Sequence, residues 1–187
     1  VTSAAYGLVF AVLAANAAFA AALASAWVLR GLAGAAALSL LLVAVAYFGG
    51  GPRLLFKRPD GRRSGWVWAV HWPYFALTAC SYRLTLCLAR EAAFTRVTPN
   101  VFLGRRLTAG EARRATAGWR AVLDLVAEMP EVPALRAAAH YRSLPVLDAT
   151  ALSPGQLRAA VEWVQAHAAG GPVYVHCALG HGRSALV

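Results

Sequence analysis

The residues with the clearest chemistry lie near the end of the 187-residue chain, in Val173-Tyr174-Val175-His176-Cys177-Ala178-Leu179-Gly180-His181-Gly182-Arg183-Ser184. Three β-formers lead into a His-Cys pair, five residues with two glycines follow, and Arg-Ser opens a predicted helix. Strand, tight loop and helix N-terminus gather backbone N–H groups around an anion. A cysteine that starts such a loop has its thiolate stabilised by those N–H groups and by the helix dipole. An arginine that closes it offers a planar fork matching two phosphate oxygens. Thiolate, N–H cradle and fork together describe phosphoryl transfer through a cysteinyl-phosphate. The plainer alternative, a chance Cys/Arg spacing with Cys177 as a core thiol, makes coincidences of both glycines, His176 and Ser184.

Each residue then has an expected role. Cys177 attacks phosphorus in line, and Arg183 holds two equatorial oxygens. The N–H groups of Ala178, Leu179, Gly180, His181, Gly182 and Arg183 hold the rest. Gly180 and Gly182 are expected to supply conformations that β-carbons would obstruct. His176 orients the loop, since a thiolate already formed needs no base. Ser184 donates to the Cys177 sulfur and helps it leave. Expelling an alkoxide needs a proton donor, and the chain has few acids. Asp124 falls inside a predicted strand, and Glu128 and Glu131 read as solvated turn residues. Asp148, in a strand-to-helix loop about thirty residues before Cys177, is the candidate acid, with a loop-capping aspartate as its alternative. No metal and no cofactor is called for.

His-Cys-x5-Arg-Ser resembles the signature loop of the cysteine-dependent protein-tyrosine and dual-specificity phosphatases. From Phe94 to Val187 the order of features resembles the mitochondrial-type phosphatidylglycerophosphate phosphatase branch. The matching pieces are Val97-Thr-Pro-Asn-Val-Phe-Leu-Gly, Glu128-Met-Pro-Glu, Leu147-Asp-Ala-Thr and Val173-Tyr-Val-His-Cys-x5-Arg-Ser. The place of Asp148 resembles that of the general acid in dual-specificity phosphatases. The resemblance implies a dual-specificity phosphatase-like domain with a shallow-to-medium cleft and, in that branch, a lipid substrate. Leu179 and His181 depart from it, standing where family residues are often small or basic. Gly182 before Arg183 is similar to the loop of phosphoinositide 3-phosphatases. His181 either adds partial positive charge for a polyanionic head group or is a neutral loop residue. A rhodanese or arsenate-reductase loop has similar Cys/Arg spacing, but Asp148 and the late position of the loop speak against it.

The elements that must hold this loop fall into two compositional halves. Hydrophobic residues make up 59% of the chain and charged residues only 14%, a bias concentrated in the first half. The run from Ala4 to Val28 carries no charge and has the length a bilayer core demands. A second uncharged run covers Leu32 to Phe48. A secretory signal would bring a basic start and a shorter apolar stretch, so a transmembrane hairpin is expected. Gly49-Gly50-Gly51-Pro52 ends it, and Arg53, Lys57, Arg58, Arg62 and Arg63 follow against one Asp60, which marks a cytoplasmic loop by the positive-inside rule. Gly65 to Leu88 is crowded with Trp66, Trp68, Trp72, Tyr74, Phe75 and Tyr82, which favours an interfacial or re-entrant helix over a third span. His71 is expected at that interface. The net charge of +10 fits anionic lipid or an anionic substrate. No basic helix or aromatic-interleaved patch supports nucleic acid. Cys80, Cys87 and Cys177 show neither disulfide nor zinc spacing.

From Phe94 the pattern is that of a soluble α/β domain. A strand and turn are predicted over Val97–Gly104, a helix over Thr108–Trp119 with Glu111 at the capping-box position, and a buried strand over Ala121–Val126. A short helix over Leu135–His140, a strand over Ser143–Leu147, a helix from a Ser153 cap to about Ala169 and the Val173–Val175 strand complete it. Alternating strands and helices imply a parallel or mixed sheet flanked by helices, with ligands at the carboxyl ends of its strands. The expected organisation is a transmembrane helical hairpin over 1–50, a basic loop and aromatic-rich helix over 51–93, and a catalytic domain over 94–187 that is truncated at its C-terminus. The expected activity is that of an integral membrane phosphomonoesterase with its catalytic domain in the cytoplasm. Its partners would be the bilayer and a phosphorylated lipid such as phosphatidylglycerophosphate or a phosphoinositide. A protein phosphatase merely held at the membrane, or a phosphate-binding module without turnover, are the alternatives.

Overall fold

A computed structural model of the chain describes residues 3–88, 91–115 and 118–187. The Val-rich runs after Phe94 form a five-stranded mixed sheet of β1 (Phe94–Thr98), β2 (Val101–Arg105), β3 (Ala121–Val126), β4 (His140–Val146) and β5 (Val173–Cys177) in the order β1-β2-β5-β3-β4. β1 and β2 are antiparallel, and every other pairing is parallel. The segment expected as a strand and turn over Val97–Gly104 is therefore part of a two-stranded hairpin that begins at Phe94. Pro99 and Asn100 turn it, and the Thr98 hydroxyl accepts the N–H of Val101 at 3.0 Å. β3 and β5 are buried at every position, as apolar strands covered on both faces must be.

Helices cover the sheet. α4 (Ala109–Ala115) starts on the expected capping box, Thr108 N–H donating to Glu111 at 2.9 Å and Glu111 N–H to the Thr108 hydroxyl at 3.3 Å. The helix was expected to reach Trp119. Residues 116 and 117 lie outside the described residues, and Trp119 is non-helical, its ring stacked on Tyr174 at 4.2 Å in the core. Burial of an indole outweighs one more helical turn. α5 (Pro133–Arg136) is a single turn, because His140 pairs with Ala121 and opens β4 instead. α6 (Pro154–Ala168) has the Ser153–Gln156 capping box and buries Ala160 and Val164 against β3 and β5.

The first half is helical. α1 (Ser3–Leu23) and α2 (Trp27–Val45, continued by a π turn to Gly50) are long and apolar enough to cross a membrane. At 1.5 Å per residue, 21 residues span about 32 Å, the thickness of a hydrocarbon core. Leu8, Val12, Phe19, Leu38 and Leu41 lie exposed along them, whereas a core helix of a soluble protein would hide such residues. At Gly7 a β-carbon would stand 2.9 Å from the Phe48 ring, so glycine there sets the close approach of the two helices. α3 (Gly65–Leu88) runs unbroken through Pro73 and buries Val67, His71, Tyr74, Phe75 and Tyr82 on one face. Trp66, Trp72 and Leu84 are exposed on the other. His71, expected at an interface, is instead fully buried with its ring 5.5 Å from Phe75, because it shares the face of Val67 and Tyr74.

One apolar cluster joins these halves. Val43 and Tyr47 from the base of the hairpin, Leu55 from the loop, Tyr74 and Phe75 from α3, and Ala127 and Leu147 from the ends of β3 and β4 pack together. The basic loop departs from its sequence reading. Arg53, Arg58 and Arg62 are exposed, but Lys57 and Arg63 turn inward. Lys57 Nζ donates to Asp124 at 2.6 Å and to the Val126 carbonyl at 2.7 Å. Arg63 donates to the carbonyls of Leu55, Ala127 and Glu128. Two of the five positive charges are thus used to fix the loop to the sheet, and three remain exposed.

Candidate active site

β5 carries the chain into the site. Its last residue, Cys177, is 2% exposed, and its sulfur is surrounded by donors. The Gly180 N–H donates to Sγ at 3.1 Å, and the Ser184 hydroxyl lies 3.4 Å away. Burial raises the thiol pKa. The Ser184 hydroxyl and N–H, the positive charge of Arg183 and the Gly180 N–H outweigh that and leave it below its ordinary value. The loop can close this tightly because Gly180 has a φ of +85°, and a β-carbon there would stand 2.9 Å from the Arg105 nitrogen. Gly182 does not share that role: its φ is −103° and the space beside it is open. The Arg106 N–H donates to the Ala178 carbonyl at 3.1 Å, tying the loop to the end of β2.

Arg183, 3% exposed, opens a 3-10 turn over Arg183–Leu186. Its guanidinium is gripped end-on by Glu128, NH1 to Oε2 at 2.8 Å and NH2 to Oε1 at 2.6 Å, and NH1 also donates to the Val146 carbonyl at 2.7 Å. Of the five N–H hydrogens of an arginine, three are committed to protein acceptors. Nε is buried with no hydrogen-bond partner among the described residues, so Nε–H and the second NH2 hydrogen form a fork that can meet two anionic oxygens. Asp148 lies beside that fork, with Oδ1 3.2 Å from NH2 and a side chain 60% exposed. The structure thus brings Cys177, Arg183, Ser184 and Asp148 around one point. His181 points away, paired with Glu91 at 2.7 Å on the surface, and Leu179 is exposed beside a cavity.

Beneath the loop lies a buried charge network. His176 is fully buried, stacked on Tyr174, with Nε2 3.0 Å from Glu131 and 4.0 Å from Asp124. Burial lowers the imidazole pKa, but the Glu131 and Asp124 carboxylates raise it above the ordinary value, favouring imidazolium. Asp124 accepts from Lys57 and, at 2.6 Å, from the Tyr141 hydroxyl. Arg106 covers the turn, donating to the Pro130 carbonyl at 2.7 Å and lying 3.9 Å from Glu131. Glu128 and Glu131 are therefore not solvated turn residues; they are 6% and 4% exposed. Arginines from three separate segments converge on their turn. Sequence reasoning missed Lys57, Asp124, Glu128 and Glu131 as parts of the site. One signal was available: an aspartate alone in the apolar run Ala121–Val126 must have a buried partner.

A scan against protein-family models finds no match, and a search of curated proteins finds none. Among solved structures, the chain is similar to Tk-PTP in its active form, with a TM-score of 0.45 and 26% identity over 49% of this chain and 66% of that one. A mutant form of Tk-PTP gives 0.44 and 27% over 49% and 65%, and P. aeruginosa TpbA gives 0.41 and 20% over 49% and 57%. The chain spans less than two thirds of the length of each. Likeness of this degree leaves the activity to the geometry of the site.

The lowered thiol pKa has a direct consequence. Alkylation of Cys177 by iodoacetamide, followed on its peptide by mass spectrometry, is expected to reach half its maximal rate below the pH of about 8.5 typical of a free cysteine. Ser184→Ala removes a donor to the thiolate and is expected to move that midpoint upward. A midpoint above 8.5 in the unaltered protein would contradict the geometry.

Proposed function

We propose that this chain is a membrane-anchored, cysteine-dependent phosphomonoester hydrolase that acts on a phosphorylated lipid head group through a cysteinyl-phosphate. The observation that carries the reading is the convergence on one point of a thiol of lowered pKa, an arginine with two uncommitted N–H hydrogens and a half-exposed carboxyl group. The phosphate sits on the Arg183 fork and the loop N–H groups. The Cys177 thiolate attacks phosphorus, and the P–O bond to the alcohol breaks opposite it. Asp148, protonated, gives its proton to the departing oxygen. Its carboxylate then takes a proton from water as that water attacks the cysteinyl-phosphate, and the sulfur leaves as a thiolate stabilised by Ser184. Glu128 acts only through Arg183, fixing the fork.

Two features support a lipid substrate. The helices long enough to span a bilayer meet the catalytic domain at their base, beside the loop. Arg53, Arg58 and Arg62 in the loop after the hairpin, and Trp66 and Trp72 in the first turns of α3, are exposed, the basic and aromatic composition found at head-group level. In this reading α3 lies at the interface and the catalytic domain on the cytoplasmic side.

The test compares leaving groups and substrates in the full chain reconstituted in nanodiscs. Phosphate release from phosphatidylglycerophosphate or phosphatidylinositol 3-phosphate should exceed release from a phosphotyrosine peptide, resist EDTA and be blocked by vanadate. Asp148→Asn is expected to slow lipid turnover about 100-fold, because an alkoxide needs the proton, and p-nitrophenyl phosphate turnover less than about tenfold. Equal losses on both would remove Asp148 from the acid role. A preference for the peptide would favour a protein phosphatase.

A further inference from the structure

Beside the phosphate loop lies a cavity of about 200 Å³ whose walls come from both halves of the chain. On the catalytic side it is bounded by Ala178 and Leu179, which follow Cys177, by Glu128, which holds Arg183, and by Asp148 beside the Arg183 fork. On the other side stand Tyr6 and Phe10 of α1, Tyr47 at the end of α2, and Tyr74 and Ser81 of α3. Tyr47 is stacked against both Tyr6 and Phe10 with ring centroids 5.6 Å apart, and Phe10 meets Tyr74 edge-on at the same distance. These aromatic contacts, with Tyr47 and Tyr74 almost fully buried, make the wall rigid.

We infer that the hairpin is a part of the substrate site, and that this cavity receives the glycerol and first chain carbons of the phosphomonoester lipid whose phosphate rests on Arg183. The inference rests on the hydrolase reading above. Three observations select this occupant. The cavity borders the phosphate loop, with Ala178, Leu179 and Asp148 in its wall, so it is within reach of the group esterified to the bound phosphate. Its apolar wall is built by helices whose outer faces, Leu8, Val9 and Val12 on α1, are exposed and apolar, so the wall belongs to the elements suited to lie in lipid. Its lining is mixed, aromatic rings with the Ser81 hydroxyl among them, which matches the glycerol and ester region better than a purely hydrocarbon tail. Tyr6, Phe10 and Tyr47 are thereby specificity residues supplied by the membrane hairpin.

The experiment measures kcat/KM of the full chain in dioleoylphosphatidylcholine nanodiscs on two probes with the same head group: dioleoyl phosphatidylglycerophosphate and its water-soluble deacylated form. The chemistry at phosphorus is identical, so the ratio reports the chain-side contact alone. Phe10→Ala, which removes part of the wall, and Ser81→Phe, which fills the cavity, are each expected to lower the lipid-to-head-group ratio about tenfold or more. Leu8→Ala, on the outward face of the same helix, should leave the ratio within about twofold. A ratio unchanged in both Phe10→Ala and Ser81→Phe, with turnover still dependent on Cys177, would overturn the inference and leave the hydrolase reading standing. Turnover of a phosphotyrosine peptide that falls with Ser81→Phe while lipid turnover does not would assign the cavity to a peptide and overturn it as well. No Cys177-dependent release from either probe would sink the hydrolase reading and this inference with it.

Discussion

Cys177→Ser is expected to lower phosphate release by at least about 10⁴-fold while leaving the anion site able to bind. Serine has nearly the shape of cysteine, so the Gly180 N–H and Ser184 hydroxyl that face Sγ keep their places. The hydroxyl, however, has no pKa within reach of neutrality. The loop donors that lower the Cys177 pKa cannot ionise it, and the nucleophile is lost. Arg183, fixed by Glu128 and the Val146 carbonyl, still presents its two free hydrogens. Inorganic phosphate or a phosphomonoester should therefore bind the variant with an affinity within about tenfold of the parent, by the size of a single lost interaction. Loss of binding together with loss of turnover would mean that Cys177 serves the architecture of the loop rather than the reaction.

The second large effect concerns stability. Lys57 and Asp124 form a pair whose side chains are both 0% exposed, and the partners come from the loop below the hairpin and from the central strand β3. Lys57→Met leaves the Asp124 carboxylate buried with hydrogen bonds from Tyr141 and the Val126 N–H and with the His176 imidazole 4.0 Å away. Breaking one side of a buried pair costs about 3–5 kcal/mol, and for a chain of this size that is a fall in Tm of roughly 10 °C. Lys57→Met combined with Asp124→Asn removes the stranded charge and is expected to recover much of the loss. Burial alone would raise the Asp124 pKa, but Lys57 and then His176 hold it below the ordinary carboxylate value. The sign follows: a lowered folded-state pKa stabilises above the unfolded value of about 3.9, and that contribution is lost as pH falls below it. Thermal unfolding of the full chain in detergent, measured from pH 7 down to pH 3, tests both points. A loss under about 1 kcal/mol in Lys57→Met would place the pair among ordinary surface bridges.

What could be read from the sequence was what is local. Cys177, Gly180, Arg183 and Ser184 fall within one short loop, so their types and spacing alone suggest a thiol and a guanidinium fork side by side. The capping boxes at Thr108 and Ser153 are equally local, and both are present. The mixed sheet followed from alternating apolar runs and capped helices. Partners brought from far along the chain were not legible. Glu128 is 55 residues from Arg183, and Lys57 is 67 from Asp124. Nothing in a Glu-Met-Pro-Glu turn says that Arg63, Arg106 and Arg183 will surround it. The positive-inside pattern was read from charge alone, and the inward turn of Lys57 and Arg63 depends on carbonyls at the end of β3 that only the folded sheet presents. Gly182 shows the opposite error. A glycine in a tight loop suggested a conformational need, but only Gly180 approaches the β2 backbone closely enough to exclude a side chain.

The central claim is that the phosphoryl group is transferred to Cys177 before it reaches water. Rapid acid quenching of the full chain with ³²P-labelled phosphatidylglycerophosphate tests it most directly, with the labelled peptide identified by mass spectrometry. Covalent phosphate on Cys177 is the expected result, accumulating further in Asp148→Asn turned over on ³²P-labelled p-nitrophenyl phosphate, where the first step needs no proton but the second still needs a base. Cys177-dependent turnover with no phosphate on the sulfur at any quench time, or with the label on another residue, would contradict it.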